Sequence, residues 1–109
     1  MSRRLISNSE LLEEMLADPV FRAEWERMAL ARVVAKAVIR YRAEHRLSQS
    51  ALARLLGWRQ PVVARLEAAE HNPSMATLLT LARTLGLRVR VDIGPRTGFV
   101  ARVTKSRAA

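Results

Sequence analysis

The first half of the chain shows apolar residues at helical spacing and few residues that interrupt a helix. No glycine precedes Gly57, and Pro19 is the only proline in the first sixty residues. Ser7 and Glu10 have the spacing of an N-terminal capping box, and Leu and Met residues follow at helical spacing. Asp18 and Pro19 then suit the N-cap and the first position of a second helix. We therefore expect this half to be helical.

The length of that second helix stays open. The pattern could continue from Pro19 to about Arg46, which at ~1.5 Å per residue gives roughly 40 Å. The apolar residues in this stretch form two sets that need not face the same way: Phe21, Trp25 and Met28, then Val34, Val38 and Tyr41. The sequence therefore allows either one long helix or two helices with a break near residues 29–33.

The signals that begin and end helices are clearer after residue 47. Ser48 is a good N-cap, and Gly57 can adopt the left-handed conformation that ends a helix. Pro61 suits only a first helical turn, so the next helix is expected to start at about Gln60. Ser74 then caps a further helix, which runs through Leu85 and is stopped by Gly86.

The apolar period changes from 3.6 to 2 after residue 86, which predicts a half-buried strand. Its apolar positions are Leu87, Val89, Val91 and Ile93. Residues 94–98 form a turn, and residues 99–104 alternate again, so a hairpin is plausible. Residues 105–109 are expected to form a tail.

The charge is unevenly distributed along the chain. The formal net charge is +9; residues 1–30 carry −2 and residues 31–109 carry +11. A basic body suits a polyanion, whereas an acidic arm does not. On charge alone, a basic surface that serves only solubility explains the body equally well.

The chain contains no cysteine and no apolar run near the ~20 residues that a bilayer span requires. Its basic start leads straight into polar residues, so we expect no signal peptide. These features indicate a cytoplasmic protein without disulfides or membrane contact.

Residues 49–67 combine helix, glycine and apolar spacing in one pattern: Gln49, Leu52, Ala53, Gly57, Val63, Leu66 and Glu67. The small Ala53 lets two helices approach, Gly57 makes the turn between them, and Val63 locks the second helix onto the first. The opposite face of that second helix is then free to enter a DNA major groove. The pattern resembles the XRE/Cro-type helix-turn-helix family, over about residues 34–86.

The resemblance implies a mainly α fold: a five-helix-type XRE/Cro domain with an N-terminal helical arm and a C-terminal β-strand or hairpin. We expect the arm at residues 1–30, the DNA-binding domain at 31–86 and the strand or hairpin at 87–104.

Mapping the family's second helix onto this chain gives the DNA-contacting positions. The predicted base-reading residues are Arg59, Gln60, Val62 and Arg65, and the predicted DNA-backbone residues are Gln49, Arg54 and Asn72. Arg can bind guanine, Gln can bind adenine, and an apolar side chain suits a thymine methyl group. On an ordinary helix, such arginines would be solvated charges.

Two positions depart from the family pattern. Arg59 stands where a capping Ser or Thr is common, and Trp58 stands where a smaller aliphatic residue is usual. Trp58 is more consistent with packing in the turn than with base stacking. Glu67 is expected to bind within the chain, since DNA would repel it.

One helix-turn-helix unit reads few base pairs, so such proteins usually dimerise on a palindromic operator. Leu87, Val89, Val91 and Ile93 are the predicted dimerisation residues, because a strand edge can pair with a two-fold mate. The alternative is that this strand only forms an intrachain hairpin with residues 99–104, and both arrangements can hold at once.

The arm, the central motif and the strand together resemble HigA-type antitoxins of toxin–antitoxin operons. This resemblance implies autorepression and the neutralisation of a small basic toxin protein, typically a ribonuclease. The predicted toxin-binding residues are Leu12, Met15, Leu16, Phe21 and Trp25. Alternatively, the arm packs on its own domain or its dimer mate, or the protein is a stand-alone XRE-family repressor.

Nothing in the sequence predicts catalysis, a metal or a cofactor. His45 and His71 lie near expected helix ends, where a cation suits the helix dipole. Neither has a cluster of potential ligands around it in the sequence, and no nucleophile–base pair or paired carboxylates stand out.

Overall fold

The computed structural model describes residues 7–106; residues 1–6 of the predicted arm and 107–109 of the predicted tail lie outside the described residues. The elements in chain order are α1 (Asn8–Leu16), α2 (Pro19–Arg27), α3 (Ala29–His45), α4 (Gln49–Leu56), α5 (Gln60–Glu67), α6 (Met75–Leu85), β1 (Leu87–Gly94) and β2 (Gly98–Lys105). The predicted mainly helical class with a C-terminal hairpin is confirmed. None of these six helices is long and apolar enough to cross a membrane.

Capping side chains set the starts of most helices, as the sequence predicted. The Ser7 hydroxyl accepts a hydrogen bond from the Glu10 N–H at 3.1 Å, and an Asp18 carboxylate oxygen accepts one from the Val20 N–H at 3.0 Å. Ser48 and Ser74 cap α4 and α6 in the same manner. Each such bond satisfies a backbone donor that the helix itself leaves free.

Residues 19–46 form two helices, with the break at Met28, one residue before the predicted region. The backbone of Met28 (φ −98°, ψ 12°) is not helical, and no side chain of its own caps α3. Asn72 takes that role from the loop after α5. Its Oδ1 accepts the Ala31 N–H at 3.0 Å, and its Nδ2 donates to the Arg27 carbonyl at 2.8 Å. A distant loop thus stabilises the break.

The core surrounds α3, which packs against α2, α5 and β2. Its buried apolar residues are Leu30, Val34, Val38, Leu52, Ala53, Leu56, Val63, Leu78, Leu81 and Leu85. Helix α4 packs against α5 and α6, and α6 packs against β1. Helix α5 therefore packs against both α3 and α4, and the three helices share one apolar centre.

The hairpin has one apolar face and one polar face. Strands β1 and β2 pair antiparallel, with Val89 opposite Val103 and Ile93 opposite Phe99. At the end near the helices, Val89 and Val103 are packed against the core. Near the turn, Phe99 and Ala101 of β2 still pack against the core, whereas on β1 Ile93 is 72% exposed and Val91 is 45% exposed. The hairpin's own packing therefore leaves the outer part of the predicted dimerisation face in solvent.

The N-terminal helices pack less deeply than the rest. Helix α1 packs against α2, and α2 packs against α3 and β2. Neither α1 nor α2 contains a buried residue. The arm is thus attached through α2, and α1 is the more peripheral of the two helices.

Candidate nucleic-acid interface

The turn between α4 and α5 has the geometry of a helix-turn-helix. Gly57 ends α4 with φ 72°, a left-handed conformation that other residues adopt at a cost. The Trp58 N–H donates to the Ala53 carbonyl at 2.8 Å and closes the turn. Ala53 is 2% exposed and Val63 is fully buried, so the small residue and the apolar lock lie where the motif predicts. Trp58 packs against the core, as expected for a turn residue.

Helix α5 begins without a side-chain cap, which agrees with the departure seen in the sequence. Arg59 occupies the N-cap in an extended conformation and makes no capping hydrogen bond. Pro61 lies in the first turn, where its missing N–H costs nothing, and the Val62 N–H bonds the Arg59 carbonyl at 3.0 Å. Among the first three residues of α5, this leaves the Gln60 N–H as the donor that can face solvent or an anion such as a phosphate group.

The predicted base-reading side chains lie on the exposed part of α5. Arg59, Val62 and Arg65 recur every third residue, and all three are exposed, whereas Val63 is fully buried on the other side. Gln60 is exposed beside them. Arg59, Val62 and Arg65 thus present two guanidinium groups and one apolar side chain along an exposed strip, with the Gln60 amide exposed in the first turn. Their contact with bases stays a prediction.

A polar network holds α5 against α3 and α4. The Arg42 guanidinium donates to both carboxylate oxygens of Glu67, from Nε at 2.5 Å and from Nη2 at 2.7 Å. Its Nη1 donates to the Leu47 carbonyl at 3.0 Å. The side chain of Glu67 is only 7% exposed. The prediction that Glu67 binds within the chain is confirmed, and its partner Arg42 is a residue that the sequence analysis did not identify.

The network continues to two of the predicted DNA-binding residues. Gln49 donates its amide N–H to Glu67 Oε1 at 3.1 Å, and its carbonyl oxygen accepts from Gln60 Nε2 at 2.8 Å. The side chain of Gln60 is thereby oriented by α4, while its own carbonyl oxygen and second amide hydrogen remain available for adenine. Gln49 is half-buried, so its contact with a phosphate group stays a prediction.

The same hydrogen bonds shift two pKa values. The hydrogen bond from Arg42, assisted by the one from Gln49, lowers the pKa of Glu67 despite the opposing effect of burial. The hydrogen bond to Glu67 raises the pKa of Arg42. Both groups therefore stay ionised at neutral pH, and the ion pair persists.

The other two predicted backbone residues differ in their surroundings. Arg54 is exposed on α4 and therefore accessible to a phosphate group. The side-chain amide of Asn72 caps α3 by hydrogen bonds to the backbone of Ala31 and Arg27. An Asn72 contact with DNA stays a prediction, and it would have to use the remaining lone pair or amide hydrogen.

The predicted toxin-binding residues divide between two environments. On α2, the rings of Phe21 and Trp25 stack with centroids 6.1 Å apart, and the Arg32 guanidinium of α3 lies 3.6 Å from the Trp25 ring centre. Burial there lowers the pKa of Arg32. On α1, Met15 is 40% exposed, and Leu12 and Leu16 are half-buried. The α2 pair thus helps to attach the arm, and contact of these five residues with a toxin stays a prediction.

Within residues 7–106, no group of three or more His, Asp or Glu side chains is placed to hold a metal ion.

Comparison with known proteins identifies the family. Residues 38–91 match the family described as Helix-turn-helix. The chain is 36% identical over 81 residues to Antitoxin HigA1 of two Mycobacterium tuberculosis strains, an alignment that covers 74% of this chain and 54% of each relative. It is 41% identical over 51 residues to a protein of Haemophilus influenzae named Uncharacterized HTH-type transcriptional regulator, covering 47% of this chain and 52% of that protein.

The chain spans about half the length of these curated relatives. No solved structure matches it significantly. The family match coincides with α4, α5 and the elements that hold them, which is also where the turn geometry and the exposed helix face occur. Residues 38–91 therefore form a helix-turn-helix domain of the XRE type, and the chain is similar to HigA antitoxins.

Proposed function

We propose that this chain is the antitoxin of a type II toxin–antitoxin system. In this proposal it binds palindromic operator DNA as a homodimer, represses its own operon in the cytoplasm, and neutralises a cognate RNase-type toxin by protein–protein contact. The helix-turn-helix domain supports DNA binding, and the similarity to proteins named Antitoxin HigA1 supports the antitoxin role.

The exposed row along α5 is the observation that carries the DNA-binding part. In the major groove, Arg59 and Arg65 would donate to guanine O6 and N7, and Val62 would contact a thymine methyl group. The network through Glu67 fixes the helix on which these side chains stand, so little order has to be created on binding.

Base reading by Arg65 can be separated from simple loss of charge. Arg65→Ala should relax base preference at one operator position, at a cost of about 1–3 kcal/mol on the preferred base. Arg83→Ala is the matched control, since Arg83 is an exposed arginine on α6. Both variants are titrated against the operator and against base-substituted operators. If the two variants lose affinity equally on every sequence, the assignment of α5 to the groove is wrong.

The proposed homodimer uses the edge of β1. Val91 and Ile93 form an apolar strip that the hairpin leaves exposed, and pairing of two β1 edges across a two-fold axis would cover it. Two recognition helices would then read half-sites about one helical turn, ~34 Å, apart. Val91→Lys with Ile93→Lys should weaken the dimer and shift it towards monomers in sedimentation. Val100→Lys, on the opposite face of the hairpin, is the control that should leave the dimer intact.

The proposed toxin surface is the arm, with α1 as its accessible part. Helix α1 combines apolar side chains with Glu10, Glu13 and Glu14, which would suit a basic partner. Deletion of residues 1–17 removes α1 but keeps the Asp18 cap of α2 and the packing of α2 on α3 and β2. The truncated chain should keep its helical circular dichroism and its operator binding.

Co-expression with the product of the adjacent open reading frame, followed by pull-down, tests the toxin itself. The full chain should retain the toxin and the truncated chain should lose it. A folded truncation that still captures and neutralises the neighbouring protein would contradict the role of α1.

The alternative is a stand-alone XRE-family repressor. The similarity to the transcriptional regulator of Haemophilus influenzae is compatible with it. Operator binding together with no interaction with the neighbouring gene product would favour this alternative.

A further inference from the structure

A basic-rimmed groove lies between α3 and the hairpin. It has a volume of about 560 Å³ and is lined by the second half of α3 and by the ends of the hairpin strands. Its floor is apolar: Val33, Ala37, Tyr41, Leu87, Ala101 and Val103. A volume of this size lies within the ~300–1,000 Å³ range of binding pockets in proteins.

The rim of the groove carries unneutralised positive charge. Lys36 and Arg40 are exposed one helical turn apart on α3. Across residues 7–106, neither is within ion-pair distance of a carboxylate, whereas Lys105 on the opposite wall pairs with Glu44 at 3.0 Å. The groove therefore suits an amphipathic segment with an apolar face and an acidic edge.

Helix α1 has that composition. Leu12, Met15 and Leu16 recur with the spacing of three and four residues by which helices anchor in grooves, and none of them is buried. Glu10 and Glu14 are also one turn apart, which matches the separation of Lys36 and Arg40. The helix contains no cationic residue, and in the described part of the chain its glutamates form no ion pair.

We propose that α1 of a second copy of this chain docks in the groove between α3 and the hairpin, so that two copies exchange their N-terminal helices. The apolar side chains of α1 cover the floor, and Glu10 and Glu14 neutralise Lys36 and Arg40. The exchange is self-complementary, because each copy supplies one helix and one groove, as a two-fold dimer requires. DNA takes no part in this exchange, and a toxin that binds α1 would have to displace the helix from the groove.

The absence of cysteine from the chain allows a clean cross-linking test. Leu12→Cys, Met15→Cys and Leu16→Cys are prepared separately in a tagged chain, and Ala37→Cys is prepared in an untagged chain. A disulfide needs Cα atoms within about 7 Å, and docking of α1 would bring at least one of its three positions that close to residue 37. After mixing under oxidising conditions, at least one pair should therefore form a disulfide between copies. Arg88→Cys, on the outer face of the hairpin, replaces Ala37→Cys in the control and should form much less disulfide with the α1 variants.

Two outcomes would overturn the proposal. One is cross-linking to Ala37→Cys no stronger than to Arg88→Cys at all three α1 positions. The other is a disulfide that forms only within one chain when Met15→Cys and Ala37→Cys are combined, which would mean that α1 folds back on its own groove.

A charge exchange tests the ion pairs independently. Lys36→Glu with Arg40→Glu should weaken the association by roughly tenfold or more, because the two symmetric contacts together lose four surface ion pairs. Combining this variant with a second chain that carries Glu10→Lys and Glu14→Lys should restore the cross-link. Failure of the exchanged charges to restore it would remove the electrostatic basis of the proposal. Because these experiments use neither operator nor toxin, they can fail while the proposed function stands, and the reverse.

Discussion

The ion pair between Glu67 and Arg42 gives the sharpest prediction for stability. Glu67→Ala removes a carboxylate that receives two hydrogen bonds from Arg42 and one from Gln49. The variant leaves the Arg42 guanidinium facing a site that was built for a negative charge. It also frees the last turn of α5 from α3, to which the carboxylate attaches it.

The expected loss follows from burial. Removing one partner of a buried ion pair costs ~3–5 kcal/mol. Glu67 is 7% exposed, but Arg42 is 24% exposed and can recover part of its hydration. We therefore expect the low end of that range, about 3 kcal/mol, which is a large fraction of the ~5–15 kcal/mol total of a typical domain.

Urea denaturation followed by circular dichroism measures this loss. It is run at one fixed protein concentration, because self-association would shift the apparent free energy of unfolding. Glu70→Ala is the matched control: Glu70 is exposed three residues further on, and its removal should change stability by less than about 0.5 kcal/mol. If Glu67→Ala costs no more than this control, the network does not hold α5 in place.

Three further predictions concern pH and backbone. Hydrogen bonds from Arg42 and Gln49 lower the pKa of Glu67 from 4.5. The stabilisation by ionised Glu67 is therefore complete above that pH and is lost as the pH falls through the folded-state pKa. The difference in unfolding free energy between wild type and Glu67→Ala should shrink between pH 7 and pH 3. A constant difference would contradict this prediction. Asn72→Ala should destabilise the chain by about 1–2 kcal/mol in urea denaturation and increase amide hydrogen exchange at the start of α3, since a cap is lost; unchanged exchange there would exclude the capping role. Arg46 ends α3 with φ 53°, so Arg46→Gly should raise the thermal midpoint by relieving about 1 kcal/mol of left-handed strain, and a lower midpoint would show that the arginine side chain matters more.

Local signals in the sequence were sufficient to locate most helix ends. Ser48, Gly57, Ser74 and Gly86 begin or end helices where their side chains or conformational freedom suggested. These features depend on residues within a few positions of each other, so a single sequence contains all the information they need. The change of apolar period after residue 86 predicted the strand for the same reason.

The break at Met28 illustrates what local patterns cannot supply. The two sets of apolar residues between Pro19 and Arg46 suggested a break. Its position depends on Asn72, which lies 41 residues from Ala31 and 45 from Arg27 in the sequence. The motif predicts a DNA-backbone contact for Asn72, which stays a prediction, and it contains no sign that Asn72 caps α3. Only folding brings that loop against α3.

The sequence by itself determined the helix-turn-helix, because caps, a turn glycine and apolar spacing are short-range features that restrict the backbone directly. The tertiary structure alone decided which polar groups meet: Arg42 reaches Glu67 across 25 residues, and Gln49 reaches Gln60 across the turn. It also decided that the second half of α3 and the hairpin enclose a groove. Such pairings depend on how helices cross after the apolar core has formed, and no spacing along one chain specifies that geometry.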